Sequence, residues 1–268
     1  MAAQNRTAVM HTVQRRKRHR RLRAKPRFWV LVLALSLSAA AFSAVQVIWE
    51  LHTYSAAKRE YDVLRLSAPN MLVTDTDSPA VSQDKSTAPE ASPAPTVDLT
   101  EINPEYVGWL EIAGTGISYP VVQSEDNNKY LTTTFAGEAN KLGAIFLDAR
   151  CEDGLNGRHT IIYGHNAKDD SMFAGLSALL DTEEYPVITI VLPDNETLIY
   201  RVFSARTTDI RDAAYRWAFE NTADFADFAA DIGAPGNAEH IITLSTCSDT
   251  GGRDKRVLIH AALLNGVD

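Results

Sequence analysis

Three residues near predicted strand ends have side chains suited to nucleophilic chemistry. Cys247 ends the run HIITLSTC, just before the loop SDTGGRDK, and Arg256 opens the last predicted strand. His165 lies in IIYGHN, after a strand-like run and the bend at Gly164. A thiolate is a nucleophile, and a nearby guanidinium favours the thiolate over the thiol and donates to an oxyanion. Because a rigid sheet holds strand ends in place, these positions favour a nucleophilic cysteine site.

Each of these residues also has an ordinary structural explanation. Four of the seven histidines lie in the folded part of the chain, and any one of them is more often structural than catalytic. The only other cysteine is Cys151, and a disulfide between Cys151 and Cys247 would be unremarkable outside the cell. The outer part of the sequence has no CxxC, no HExxH and no glycine-rich phosphate loop, so it predicts no metal and no cofactor.

The elements that must hold these side chains are short strands. From residue 98 onward, strand-like runs are separated by clusters of Gly, Asn and Asp, a spacing typical of a β-barrel or sandwich. Along the run that ends at Cys247, alternation places Thr243, Ser245 and Cys247 on one face. The predicted strands are 117–122, 144–147, 159–163, 187–192, 198–206, 240–246 and 257–264.

Helices interrupt these strands. One is predicted over 171–180, and a longer one over 212–232, with Thr222 as its N-cap and Gly233 as its end. The pattern therefore predicts a mainly β fold class, a barrel or sandwich with appended helices.

Three separated segments resemble the sortase family. TLSTC at 243–247, followed nine residues later by Arg256 and an apolar strand, is similar to the TLxTC…R signature of sortases. IIYGHN with DDSMFAGL after it resembles the histidine segment of class B sortases, as does 106–148 (YVGWLEI, GISYPVVQSEDNNKYL, KLGAIFLD). The predicted helix around 213–232 matches the helical insertion expected in that class. The resemblance covers roughly residues 98–268 and implies a closed sortase-type β-barrel with appended helices.

The resemblance implies catalytic roles for His165, Cys247 and Arg256. Arg253 and Lys255 are near rivals of Arg256 in the sequence. The arginine of the family directly precedes the final apolar strand, and only Arg256 does so here. This trio is therefore the expected catalytic set.

The resemblance also implies residues around the catalytic trio. Tyr163, Ser245 and Leu131 lie inside the matched segments and are expected to line the peptide groove, although core packing is an equal interpretation for Leu131. Asp249, two residues after the cysteine, lies where class B members have an acid, and a supporting role competes with that of an ordinary loop acid. Cys151 departs from the family pattern, and a free thiol is expected there.

The activity that the resemblance implies is that of a cysteine transpeptidase. Such an enzyme cleaves a C-terminal sorting motif of secreted proteins, similar to LPxTG or NPxTN, through a thioester and transfers the protein to an amine of a peptidoglycan precursor. No metal or organic cofactor is needed. Two alternatives stay open: a pilus-assembling sortase that uses a pilin lysine as acceptor, and a non-catalytic membrane-anchored wall-binding module.

The N-terminal part of the chain predicts a membrane anchor. Residues 28–49 carry no charge, and this stretch of 22 residues would form a helix of about 33 Å, enough to cross a bilayer. Residues 1–27 hold ten Lys/Arg and no acid, so the positive-inside rule places this tail in the cytoplasm and the catalytic domain outside. A cleaved signal peptide would have a shorter apolar stretch, but Ser36 to Ala44 offers small residues for a cleavage site, so this alternative stays open. Beside a span, a basic run more often touches anionic lipid than nucleic acid, so no nucleic-acid partner is expected.

Two further segments separate the anchor from the catalytic domain. Apolar residues recur at three- and four-residue steps through 50–66, which predicts a juxtamembrane amphipathic helix that continues the span or folds back on the domain. Residues 67–97 are rich in Pro, Ser, Thr, Ala and Asp, which predicts a flexible extracellular linker before the catalytic domain at 98–268. Residues 28–268 hold sixteen Lys/Arg against 34 Asp/Glu, which indicates a solvated acidic surface.

Overall fold

Two units make up the chain, and they meet between Glu50 and Leu51. The computed structural model describes residues 26–66, 68, 98–248, 252 and 254–264. The predicted basic tail at 1–27 and the predicted linker at 67–97 lie almost entirely outside the described residues.

The first described element is one long helix, α1, at Pro26–Leu66. Proline suits the first turn of a helix, because its missing N–H has no intrahelical partner there. The side chains of residues 28–49 are all exposed, and the most apolar part of the helix has a mean hydropathy of 2.2. By length and composition, this part of α1 is long and apolar enough to cross a membrane.

The last part of α1, residues 51–66, belongs to the second unit and packs against the barrel within it. Ala57, Tyr61 and Leu64 are buried there, at spacings of four and three residues that place them on one helical face. The amphipathic segment predicted over 50–66 is therefore continuous with the apolar helix and also covers the folded domain.

Eight strands of the second unit form a closed barrel, which confirms the predicted fold class. The order around the barrel is β1-β2-β3-β4-β7-β8-β6-β5, with β5 pairing back onto β1. The pairs β2–β3 and β4–β7 are parallel, and the remaining pairs are antiparallel. The strands are β1 Tyr106–Ile112, β2 Ile117–Val122, β3 Ile145–Leu147, β4 His159–Tyr163, β5 Val187–Val191, β6 Thr197–Asp209, β7 Ile241–Cys247 and β8 Lys255–Leu263.

The two faces of β7 belong to different cores. Ile242 and Leu244 join the large apolar cluster inside the barrel, whereas Ile241 joins a smaller cluster outside it. Phe225 and Phe228 of helix α3, at Thr222–Asp231, supply much of that outer cluster. Because side chains alternate along a strand, Thr243, Ser245 and Cys247 share the outer face.

Three differences from the sequence prediction concern local structure. The single helix predicted over 212–232 is wrong, because the chain forms a 3₁₀ turn at Ala213–Tyr215, then an extended stretch, and then α3. Asn221, not Thr222, caps α3, since its side chain accepts a hydrogen bond from the N–H of Asp224. The helix predicted over 171–180 is a 3₁₀ helix at Ala174–Asp181.

Strand β1 was not among the predicted strands, although its residues belong to the segment that resembles class B sortases. Most of its residues are buried, on both faces, so it shows no alternation of apolar and polar residues. A short helix α2, at Leu99–Ile102, precedes it, and Asp98 caps that helix through the N–H of Thr100.

Candidate active site

The strand pair β7–β8 brings the cysteine and the arginine together. Cys247 is the last residue of β7 and the only exposed one, and it lies directly opposite Arg256 in the antiparallel register. Residues directly opposite each other in such a pair have Cβ atoms roughly 5 Å apart and project from the same face. The Arg256 guanidinium therefore extends from the position on β8 that lies next to Cys247 on β7.

The neighbouring strand β4 delivers the histidine to the same end of the sheet. Tyr163, its last residue, is in register with Ser245 of β7, and the N–H of Gly164 continues the ladder by donating to the Ser245 carbonyl at 3.2 Å. A Cβ at Gly164 would lie 2.6 Å from the ring of Phe173, so only glycine fits where the chain bends. His165 follows this bend at the strand end.

The imidazole of His165 is held by a backbone carbonyl. Its Nε2 lies 2.8 Å from the carbonyl oxygen of Leu131. A carbonyl only accepts hydrogen bonds, so Nε2 carries a proton and Nδ1 is the nitrogen that takes up or releases one. The next residue, Asn166, donates from Nδ2 to the Cys247 carbonyl at 2.9 Å, which ties the histidine loop to the cysteine.

Six of the seven site residues predicted from the sequence line one cavity of about 260 Å³. They are Leu131, Tyr163, His165, Ser245, Cys247 and Arg256. The seventh, Asp249, lies outside the described residues. Leu131 is 39% exposed, so it belongs to the cavity wall and not to the buried core. The other wall residues are Asn127, Phe146, Gly164 and Thr246.

Both cysteines are free thiols, so the disulfide alternative is wrong. Cys247 is exposed at the cavity, whereas Cys151 is buried and its thiol donates to the His159 carbonyl at 3.7 Å. Burial raises the pKa of the Cys151 thiol, which keeps it protonated and unreactive. The two thiols therefore differ in access to solvent and to substrate.

The ion pair between Asp148 and Arg150 fixes Tyr163, which lines the cavity. The Tyr163 hydroxyl donates to Asp148 at 2.8 Å, and Asp148 also receives two hydrogen bonds from the Arg150 guanidinium. Burial alone would raise the pKa of Asp148, but hydrogen bonds from Arg150, Asn127 and Tyr163 hold it well below its usual range. The Arg150 guanidinium in turn lies over the Trp217 ring at 3.7 Å. The Tyr163 ring is thus held in one orientation.

Tyr215 belongs to the surroundings of the site and was missed in the sequence. Its hydroxyl lies 2.8 Å from Ser245 Oγ, and its ring stacks on Tyr163 with the centroids 6.4 Å apart. Burial raises the pKa of Tyr215, while the positive charge of Arg256 opposes the shift. No local signal marked this residue, because it reaches the site only through the fold of the β6–β7 connection.

Comparisons with known proteins agree with this geometry. Residues 110–264 match the sequence model of the Sortase domain. The chain is 35% identical to sortase B of Staphylococcus aureus over 178 residues, and to sortase B of Listeria monocytogenes over 184 residues. In both cases the match covers 62% of this chain and 73% of the relative.

Solved structures show the same similarity. The structure of Clostridium perfringens sortase B matches with a TM-score of 0.57 and 27% identity, over 62% of this chain and 98% of that one. A Staphylococcus aureus sortase B–substrate complex matches with a TM-score of 0.55 and 31% identity, over 62% of this chain and 82% of that one. The likeness therefore extends over the barrel and the cavity.

Proposed function

We propose that Cys247, His165 and Arg256 carry out the reaction of this chain, which belongs to class B of the sortase family of cysteine transpeptidases. The observation that carries this proposal is the direct pairing of Cys247 with Arg256 at the rim of the cavity that His165 also lines. The staphylococcal sortase B–substrate complex supports a sorting-signal peptide as the substrate class.

In the first half of the proposed reaction, the Cys247 thiolate attacks a peptide carbonyl carbon. The bond broken is the one between Thr and Gly or Asn in an LPxTG- or NPxTN-like motif. As the C–S bond forms, the carbonyl electrons move to oxygen, and the Arg256 guanidinium donates to that oxyanion. When the intermediate collapses, the imidazolium of His165 gives its Nδ1 proton to the departing amine, leaving a thioester on Cys247.

In the second half, an amine of a peptidoglycan precursor attacks the thioester. Neutral His165 takes the proton of the incoming amine at Nδ1, and the sulfur leaves as a thiolate. The new amide joins the sorted protein to the precursor, and the enzyme returns to its starting protonation state. Arg256 donates to the oxyanion again in this step.

The groove that receives the sorting peptide is proposed to run along Leu131, Tyr163 and Ser245. Their positions around the cavity support this assignment. Asp249 keeps its proposed supporting role on the strength of the sequence resemblance alone. We further propose that residues 28–49 anchor the enzyme in the cell membrane, with the N-terminus cytoplasmic and the barrel outside, so that it meets secreted proteins and wall precursors.

Replacing each cysteine in turn tests the proposed function. A fluorogenic sorting peptide is incubated with the wild type, Cys247→Ala and Cys151→Ala, with diaminopimelate or pentaglycine as the amine. Cys247→Ala is expected to lose at least about 10³-fold in turnover, because no thioester forms, whereas Cys151→Ala keeps its activity. Mass spectrometry of the wild type should show the N-terminal peptide fragment bound to Cys247. Absence of wild-type turnover, or cleavage by Cys247→Ala, would contradict the proposal.

A further inference from the structure

Several hydrogen bonds join the last part of α1 to the loop at 132–144. The hydroxyl of Tyr61, which is only 2% exposed, donates to the Gly143 carbonyl at 2.7 Å and accepts from the N–H of Phe135 at 3.2 Å. Two more bonds link the same elements: Asn140 Nδ2 donates to the Thr53 carbonyl at 2.7 Å, and the N–H of Ala136 donates to Glu60 Oε1 at 2.9 Å. The helix that carries the membrane segment thus holds this loop from behind.

The other side of the loop lies against the catalytic imidazole. Gly143 has a φ of +62°, and a Cβ there would lie 2.3 Å from the Tyr130 carbonyl oxygen and 3.2 Å from His165 Cδ2. The next residue, Ala144, donates its N–H to the Tyr130 carbonyl at 3.0 Å. The carbonyl that follows in the chain, that of Leu131, binds His165 Nε2. Backbone contacts therefore run without interruption from Gly143 to the imidazole.

We infer that Tyr61 is a positioning residue for the transpeptidase, acting through Gly143 and the Leu131 carbonyl on the orientation of the His165 imidazole. This inference rests on the proposed role of His165. Proton transfer requires the imidazole nitrogen within hydrogen-bond reach of the reacting amine, and small displacements of a catalytic group carry large rate penalties. The buried hydroxyl of Tyr61 holds the Gly143 carbonyl in place, and with it the glycine that borders the ring.

The geometry also assigns a role to α1 beyond that of a tether. Tyr61 and Gly143 are 82 residues apart in sequence, so the contact forms only when the helix docks on the barrel. Since Leu131 O is the acceptor that keeps the proton on Nε2, a loop released from Tyr61 loses part of its hold on the imidazole tautomer. Docking of the helix therefore sets which nitrogen of His165 faces the cavity as a base.

Tyr61→Phe in the full chain tests this inference, because it removes one hydroxyl and leaves the ring in place. We expect kcat for the sorting peptide to fall about tenfold while KM changes less than about twofold. Long-range ¹H–¹⁵N spectra of the His165 imidazole should show a smaller share of the Nε2–H tautomer than in the wild type. Circular dichroism checks that the variant is folded.

A matched control on the same helix separates positioning from docking in general. Arg65 donates from Nε to the Ser118 carbonyl at 3.1 Å, a helix-to-barrel bond that goes to β2 and not to the loop. Arg65→Met should therefore keep kcat and the imidazole spectrum. An unchanged kcat and spectrum in Tyr61→Phe, or equal changes in Arg65→Met, would overturn the inference. If the wild type turned over no sorting peptide, the proposed function would fail, and the imidazole spectra alone would decide whether Tyr61 orients His165.

Discussion

The strands that lead to the three proposed catalytic residues (the proposed catalytic set) carry a second polar set, four to six residues away along the chain. Thr243 of β7 lies directly opposite His260 of β8, as Cys247 lies opposite Arg256, and His159 of β4 completes the second set. His260 Nδ1 lies 2.9 Å from Thr243 Oγ1, which lies 2.7 Å from His159 Nε2. These three residues form a continuous chain of hydrogen bonds, named the buried chain because each residue is at most 2% exposed.

When both imidazoles are neutral, the protons of the buried chain have only one arrangement that satisfies its bonds. His159 Nδ1 lies 2.6 Å from the Arg216 carbonyl, so that nitrogen must donate. Its Nε2 then accepts from the Thr243 hydroxyl, whose oxygen accepts from His260 Nδ1. Both imidazoles are neutral in this arrangement. Among the described residues, nothing bonds to His260 Nε2, which is buried.

The comparison teaches that burial, rather than residue type, separates the two sets. In the buried chain, each proton has one hydrogen-bonded place when both rings are neutral, and the three residues are at most 2% exposed. In the proposed catalytic set, the Cys247 sulfur is exposed and His165 borders a cavity, so a group bound in the cavity could exchange a proton with the imidazole. The same three strands therefore hold the proposed catalytic residues at their ends and a buried, hydrogen-bonded set a few residues further in.

Among the tests of this comparison, the largest effect is expected from removing the cation of the proposed catalytic set. Arg256→Gln should lower kcat/KM by about 10²–10³-fold, because the oxyanion loses its donor, while the free energy of unfolding changes little. The neighbouring cation provides the control, since Lys255→Gln removes a positive charge one residue away. Comparable losses in both variants would mean that general charge, and not a positioned guanidinium, supports the reaction.

Removing the hydroxyl at the centre of the buried chain is expected to have a smaller effect, and one on stability instead of on activity. Thr243→Val keeps the shape of the side chain but leaves His159 Nε2 and His260 Nδ1 without their partner, which should lower the free energy of unfolding by about 1–3 kcal/mol. Turnover per folded molecule should stay close to that of the wild type. Thr207→Val, at an exposed position of β6, makes the same chemical change and should cost less than about 0.5 kcal/mol. Urea titrations measure both, and a folded Thr243→Val enzyme without activity would place the buried chain in the reaction.

Much of the barrel could be predicted from local patterns in the sequence, and six residues that line the cavity could be predicted from the sequence and its resemblance to sortases. Strands β2 and β4 have the predicted bounds, and Cys247 ends β7, as the run HIITLSTC predicted. Strand β1 was missed since it is buried on both faces. The helix predicted over 212–232 was wrong because Ala214, Phe225 and Phe228 meet in one apolar cluster although the chain between the 3₁₀ turn and α3 is not helical.

The contacts that could not be predicted join residues far apart in the chain. Tyr215 reaches Ser245 across 30 residues, and Tyr61 reaches Gly143 across 82. The buried chain likewise depends on the register of β4 against β7 and of β7 against β8. A histidine in the sequence looks the same at positions 159 and 165, and only the tertiary structure shows which one is enclosed.

The finest test of the comparison uses pH. Burial lowers the pKa of His159 to about 4, and burial together with the Arg206 guanidinium lowers the pKa of His260 to about 3, partly offset by Asp212. In the unfolded chain both rings have a pKa near 6.5, so between that value and the folded ones the unfolded state binds more protons. The contribution of these two neutral rings to the free energy of unfolding is therefore fully present above about pH 6.5 and is lost as the pH falls toward their folded pKa values.

Lowering the pH from 7 to 6 should cost about 1 kcal/mol of unfolding free energy through these two rings. His260→Asn keeps an N–H donor for Thr243 and removes one titrating ring, so urea titrations at the two pH values should show about half of that loss. His240→Asn controls for the mere removal of a partly exposed histidine and should keep the wild-type difference. An identical pH dependence in His260→Asn and the wild type would show that the buried chain does not hold a neutral His260, and the contrast with the catalytic set would then rest on geometry alone.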